Sequence, residues 1–132
     1  MLHHLSLGVR DIDRAVAFYD AALAPLGYVR VWSDLRRGET GQAAGYGPPD
    51  GGDKLTLKAH DDAARAPGPG FHAAFTAPSR AAVDAFHAAA IAAGGCDNGP
   101  PGLRPHYGPT YYAAFIVDPD GHHIESVFKG PA

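Results

Sequence analysis

Apolar residues Leu5, Leu7 and Val9 alternate with His4, Ser6 and Gly8, the two-residue period of a strand with one greasy and one more polar face. The period then changes. Ile12, Val16, Tyr19, Leu23 and Leu26 recur every three to four residues, as on an amphipathic helix, with Asp11 as a fitting N-cap and Gly27 as the stop. Strands are predicted next over Tyr28 to Ser33, Gly41 to Tyr46 and Lys54 to Ala59. The same order then begins again. His72-Ala73-Ala74-Phe75-Thr76-Ala77 opens like His4-Leu5-Ser6-Leu7-Gly8-Val9, and the offset of 68 residues also matches Phe18 with Phe86, Leu23 with Ile91 and Gly27 with Gly95. A second helix, capped by Ser79, carries Val83, Phe86, Ala90 and Ala93 and ends at Gly94-Gly95. Strands follow over Tyr111 to Val117 and His123 to Phe128, joined by Asp118-Pro119-Asp120-Gly121, a hairpin turn by its Asp-Gly step. The expected fold is α+β: one domain over 1–132, made of two tandem βαβββ modules at about 1–60 and 70–130, with 61–69 as linker.

Composition narrows the partners. The chain is 45% hydrophobic and 19% charged, enough apolar material for a core, and its 17 Gly and 12 Pro cluster between the periodic segments as loops. A net charge of −3 without a basic stripe argues against nucleic acid. No apolar run is long enough to span a membrane, and the lone Cys96 cannot form an internal disulfide. A cytoplasmic domain acting on a small molecule is the expectation.

The repeat also organises the chemistry. His4 and His72 open equivalent strands, and a pseudo-twofold relation between modules would let them converge. Glu125 lies on the last strand, on the face shared with His123 and Val127. Two imidazoles and a carboxylate suit a divalent ion with open positions, one that polarises a carbonyl or holds an enolate or catecholate. Taken singly, each is better explained as an exposed or hydrogen-bonded strand residue; it is their coincidence at repeat-related positions that points to an ion. A register shift of one would put His3 in place of His4.

Three segments carry a resemblance. His4-Leu5-Ser6-Leu7-Gly8-Val9-Arg10-Asp11 with Ala17-Phe18-Tyr19, then Phe71 to Ala77, and above all Phe115-Ile116-Val117-Asp118-Pro119-Asp120-Gly121-His122-His123-Ile124-Glu125 resemble the vicinal-oxygen-chelate proteins, the glyoxalase, bleomycin-resistance and extradiol-dioxygenase group. The resemblance implies a curved mixed sheet forming a cup, a homodimer, and metal ligands at His4, His72 and Glu125. It leaves the ion open among Fe, Mn, Ni and Zn. A fourth ligand, often Glu in glyoxalase I, falls on Thr56, a poor ligand, so the set is closer to the two-His-one-carboxylate site of the dioxygenases. The implied activity is that of a lyase, isomerase or ring-cleaving dioxygenase on a vicinal-oxygen substrate. The alternative is a metal-free protein that sequesters an antibiotic or other small molecule.

Other residues have two readings each. His106 and Tyr107 form a catalytic rim over the cup or simply cover a sheet edge; Trp32, Tyr46, Thr56, Tyr111 and His123 line a substrate pocket or serve as ordinary sheet residues. His60 and His87 read as linker and helix-surface residues, and nothing near Cys96 activates its thiol.

Overall fold

The computed structural model describes residues 1–131. Strand β1 (Leu5–Val9) leads into helix α1 (Ile12–Leu23), a 3₁₀ turn (Ala24–Leu26), β2 (Val29–Asp34), β3 (Ala43–Gly47) and β4 (Leu55–Ala59). The second module repeats the order with β5 (Ala73–Thr76), α2 (Arg80–Ala92), β6 (Cys96–Leu103), β7 (Tyr111–Val117) and β8 (His123–Lys129). Each module forms its own four-stranded sheet, ordered β1-β4-β3-β2 and β5-β8-β7-β6, with the first and last strands parallel and the other pairs antiparallel. These are the two expected βαβββ modules, and their sheets stay separate rather than closing into one.

Local chemistry explains the boundaries. Asp11 accepts from the Arg14 amide at 3.1 Å and Ser79 from the Ala82 amide at 3.0 Å, satisfying donors that a helix start leaves free. Gly27, at φ 86°, takes the left-handed conformation that ends the 3₁₀ turn without a Cβ penalty.

One strand departs from the sequence reading. β6 contains Gly99, Pro100, Pro101 and Gly102, has no apolar alternation, and was not expected. It forms because it is an edge strand pairing only with β7, where shifts between Asp97 and Gly99 and between Gly99 and Gly102 accommodate residues that cannot continue a ladder.

The modules share one core. Phe18, Tyr19, Leu23, Leu55, Leu57, Phe86, Ile116 and Ile124 are all at most 1% exposed and belong to a single apolar cluster. The ring of Phe18 reaches across to the second module, where a Cβ on Gly95 would sit 2.8 Å from it. The β7–β8 turn is fastened to the first module. Tyr19 donates to Asp118 Oδ2 at 2.5 Å, Asp120 Oδ1 accepts from the Arg10 amide at 3.0 Å, and His122 Nε2 donates to the Gly8 carbonyl at 2.9 Å. Asp118 Oδ1 also accepts from the amides of Asp120 and His122, which shapes the turn itself. Among the described residues no helix is long and apolar enough to cross a membrane.

Candidate functional site

Strand register sets out two equivalent half-sites. Ala74 on β5 and Phe115 on β7 both pair with Glu125; Ser6 on β1 and Gly45 on β3 both pair with Thr56. Thr56 is therefore the counterpart of Glu125, as His4 is of His72. Paired residues of neighbouring strands present their side chains to one face of the sheet. His4, Ser6, His72 and Ala74 are exposed on these faces, so both are open to solvent along their first strands.

The second half-site is closely knit. His72 Nε2 lies 3.0 Å from Glu125 Oε1; the ring is half exposed, while the carboxylate is 2% exposed. Tyr111 donates its hydroxyl to Oε2 of the same carboxylate. A carboxylate this buried requires such partners, since desolvation penalises an unpaired charge. Burial, then the Glu125 hydrogen bond and charge, push the Tyr111 hydroxyl up to about 12. Phe115 stands beside the His72 ring with centroids 6.4 Å apart, and the Arg104 guanidinium lies 5.3 Å from the centre of the Phe115 ring.

An aromatic series leads outward from Glu125. Tyr107 packs on Tyr111 with centroids 5.2 Å apart, and His106 on Tyr107 at 4.1 Å. Both His106 and Tyr107 are exposed, on the turns before β7.

The raised Tyr111 pKa gives a pH expectation. The folded protein retains this proton above pH 10, where the unfolded chain releases it, so the contribution is full below pH 10 and lost between pH 10 and about 12. Unfolding curves recorded across that window should show less loss of stability in Tyr111→Phe than in the parent chain.

The first half-site is looser. His4 is exposed and its Nδ1 lies 2.8 Å from that of His3, so the two adjacent rings touch. Thr56, 3% exposed, donates to Asp53 Oδ2 at 2.5 Å. The Thr56 hydroxyl, with smaller contributions from the His4 charge and the Trp32 indole N–H, holds the Asp53 carboxyl below its usual range. Trp32 is 41% exposed and lies over Gly45.

The remaining pocket candidates are spread out. Tyr46 is buried against α1, donating to Asp20 Oδ1 at 2.9 Å, and its edge reaches a cleft of about 430 Å³ between the modules. His72 and Phe71 line the same cleft from the other side. His123 is exposed beside a separate hollow with Gly121 and Phe71. His72 and Glu125 meet within the chain, but among the described residues no three His, Cys, Asp or Glu side chains come together as an ion site, so His4 does not join them.

The His72–Glu125 pair fits a divalent ion by its donor chemistry and spacing. Imidazole nitrogen and carboxylate oxygen suit Zn, Ni, Mn or Fe. Two donors each about 2.1 Å from one ion stand about 3 Å apart at octahedral angles and about 3.4 Å apart at tetrahedral ones. The observed 3.0 Å matches the octahedral spacing and is also an ion-pair distance.

Asp53, Phe115 and Arg104 carry no functional signal in the sequence. Asp53 falls opposite His122 when Gly51 to Thr56 is laid on Asp120 to Glu125, and nothing in that match marks it.

A mixed-sheet pair of βαβββ modules with half-sites at equivalent positions defines a class, and comparison supplies the family. The model of the Glyoxalase/Bleomycin resistance protein/Dioxygenase superfamily matches residues 1–126, and the chain belongs to that family. A glyoxalase/bleomycin resistance protein from Albidiferax ferrireducens T118 is 32% identical, with 95% of this chain and 96% of that one covered at a TM-score of 0.73. A glyoxylase/bleomycin resistance protein/dioxygenase domain from Frankia sp. EAN1pec is 24% identical over 98% of both chains, at 0.71. Glyoxalase I from Zea mays shares the fold, with 23% identity and a TM-score of 0.73 over 96% of this chain and 45% of its own length. No curated protein matches.

Proposed function

We propose that the protein is a divalent-metal-dependent enzyme acting on a small molecule with two vicinal oxygens, its site assembled from the half-sites of two copies of the chain. The observation that carries this reading is the His72–Glu125 pair, 3.0 Å apart on an open sheet face, with His4 at the equivalent position of the other sheet. Because His4 does not join the pair within one chain, a second copy offering its His4 face is the simplest way to complete a three-ligand set. His72, Glu125 and the other copy's His4 would hold the ion, which when bound acts as a Lewis acid toward the substrate oxygens.

The chain's own groups do the rest. Tyr111 fixes the Glu125 carboxylate and stays protonated at neutral pH, while Phe115 packs beside the His72 ring. His106 and Tyr107, stacked outward from Tyr111 on the rim, would pass a proton between substrate and solvent. The 2% exposed Glu125 carries little solvent, which strengthens its hold on a cation.

The intermodule cleft favours a second reading. Its lining by Leu2, Leu5, Leu23, Tyr28 and Phe75 suits sequestration of an apolar small molecule without metal. Elemental analysis after metal reconstitution, followed by turnover assays on oxoaldehydes and catechols, separates the two. One bound ion per chain with turnover that a chelator abolishes supports the enzyme. No ion, with ligand binding indifferent to chelator, supports sequestration and removes the first reading.

A further inference from the structure

The two half-sites differ at one decisive position. Where Glu125 supplies a carboxylate in the second module, its counterpart Thr56 has only a neutral hydroxyl. A second difference accompanies the first. Phe115 pairs with Glu125, whereas Gly45 pairs with Thr56, so a whole aromatic side chain is missing from that face of the first sheet. The vacated space is filled: a Cβ on Gly45 would collide with the Trp32 indole and come within 2.9 Å of Asp53 Cβ. Asp53 therefore lies over the position of Thr56, and its Oδ2 accepts the Thr56 hydroxyl at 2.5 Å.

The resulting group mirrors the other half-site in kind. His72, Glu125 and Tyr111 are an imidazole, a carboxylate and a hydroxyl that donates to that carboxylate. His4, Asp53 and Thr56 are the same three kinds of group, with the Thr56 hydroxyl donating to the Asp53 carboxylate and His4 standing two residues before Ser6, which pairs with Thr56. Gly45 permits the arrangement because only a residue without a side chain leaves room for Asp53 and Trp32 together.

We propose that Asp53, reaching in from the segment before β4, replaces the carboxylate that Thr56 lacks and is a fourth ligand to the divalent ion, with Thr56 as the residue that positions it. This inference rests on the metal-site reading above. Two imidazoles and two carboxylates make the site neutral around a divalent ion, where three ligands would leave it with one positive charge. Glu would be the natural residue at position 56 if that position supplied the ligand itself.

Titration of the full-length chain with cobalt(II) chloride, followed by the visible absorption of the bound ion, tests the assignment. Asp53→Asn keeps the size and the hydrogen bond to Thr56 but removes the charge; it is expected to weaken binding at least about 100-fold, beyond the range for losing a residue that only orients a ligand, and to change the cobalt spectrum. Adding Thr56→Glu to Asp53→Asn is expected to restore affinity by supplying a carboxylate from the strand itself. Circular dichroism identifies any variant that fails to fold. Tight binding by the parent chain, with affinity and spectrum unchanged in Asp53→Asn, overturns the role of Asp53 alone. Absence of cobalt binding in the parent chain overturns the metal reading and this inference together.

Discussion

Replacing Glu125 by alanine is expected to weaken divalent-ion binding by at least about 100-fold, since loss even of a residue that only orients a ligand costs 10–100-fold. Glu125 has a more direct place than that. Its Oε1 faces His72 Nε2 at 3.0 Å, the proposed partner ligand, and its Oε2 is held by Tyr111. The substitution also removes the acceptor of the partly exposed Tyr111 hydroxyl, costing on the order of 1 kcal/mol, the net worth of a typical hydrogen bond. Two measurements keep these effects apart. Isothermal titration with zinc or nickel reads the ion, and urea unfolding without metal reads the fold. Tyr111→Phe should reproduce part of the stability change and only a fraction of the affinity change. Undiminished ion binding in Glu125→Ala would remove Glu125 from the ligand set.

Phe18→Ala is expected to cost about 3–5 kcal/mol, the range for truncating a buried aromatic residue. Phe18 is fully buried, packs edge to face on Tyr19 with centroids 4.9 Å apart, and meets Gly95 in the second module. Its removal opens a cavity where the modules join. Because both sheets draw on one apolar cluster, the parent chain and the variant should each unfold in urea in a single step, with the variant's midpoint well below that of the parent. Two separate transitions would show instead that the modules fold independently and that Phe18 serves only one of them.

Much of this fold is legible in the chain because it is written twice. The alternation from Leu5 to Val9 gives β1, the caps Asp11 and Ser79 mark both helix starts, and Asp118-Pro119-Asp120-Gly121 gives the turn before β8. The predicted strand from Gly41 to Tyr46 lies at Ala43–Gly47, a small shift at the boundary. β6 is not legible. Its backbone is held by β7 rather than by an apolar face, so hydrophobic periodicity carries no trace of it.

The candidate site divides in the same way. His72 and Glu125 stand out because a repeat places a histidine at a strand start and the β7–β8 turn fixes the register of the last strand. Asp53 is hidden because its placement follows from an absence, the missing side chain at Gly45, felt across two strands. His122 is likewise silent in sequence. It is 1% exposed and ties the second module's turn to the Gly8 carbonyl, a role that only the docking of the two modules creates.

The central claim is that half-sites on separate sheets, contributed by two copies, hold one ion jointly. Mixing His4→Ala with His72→Ala, under conditions where subunits exchange, tests it most directly. Each variant alone should bind almost no zinc. In a shared site, every mixed dimer regains one intact half-site pair, so random exchange should restore about a quarter of the parent's zinc content. No recovery, with mixed dimers demonstrated by mass spectrometry, would contradict the claim.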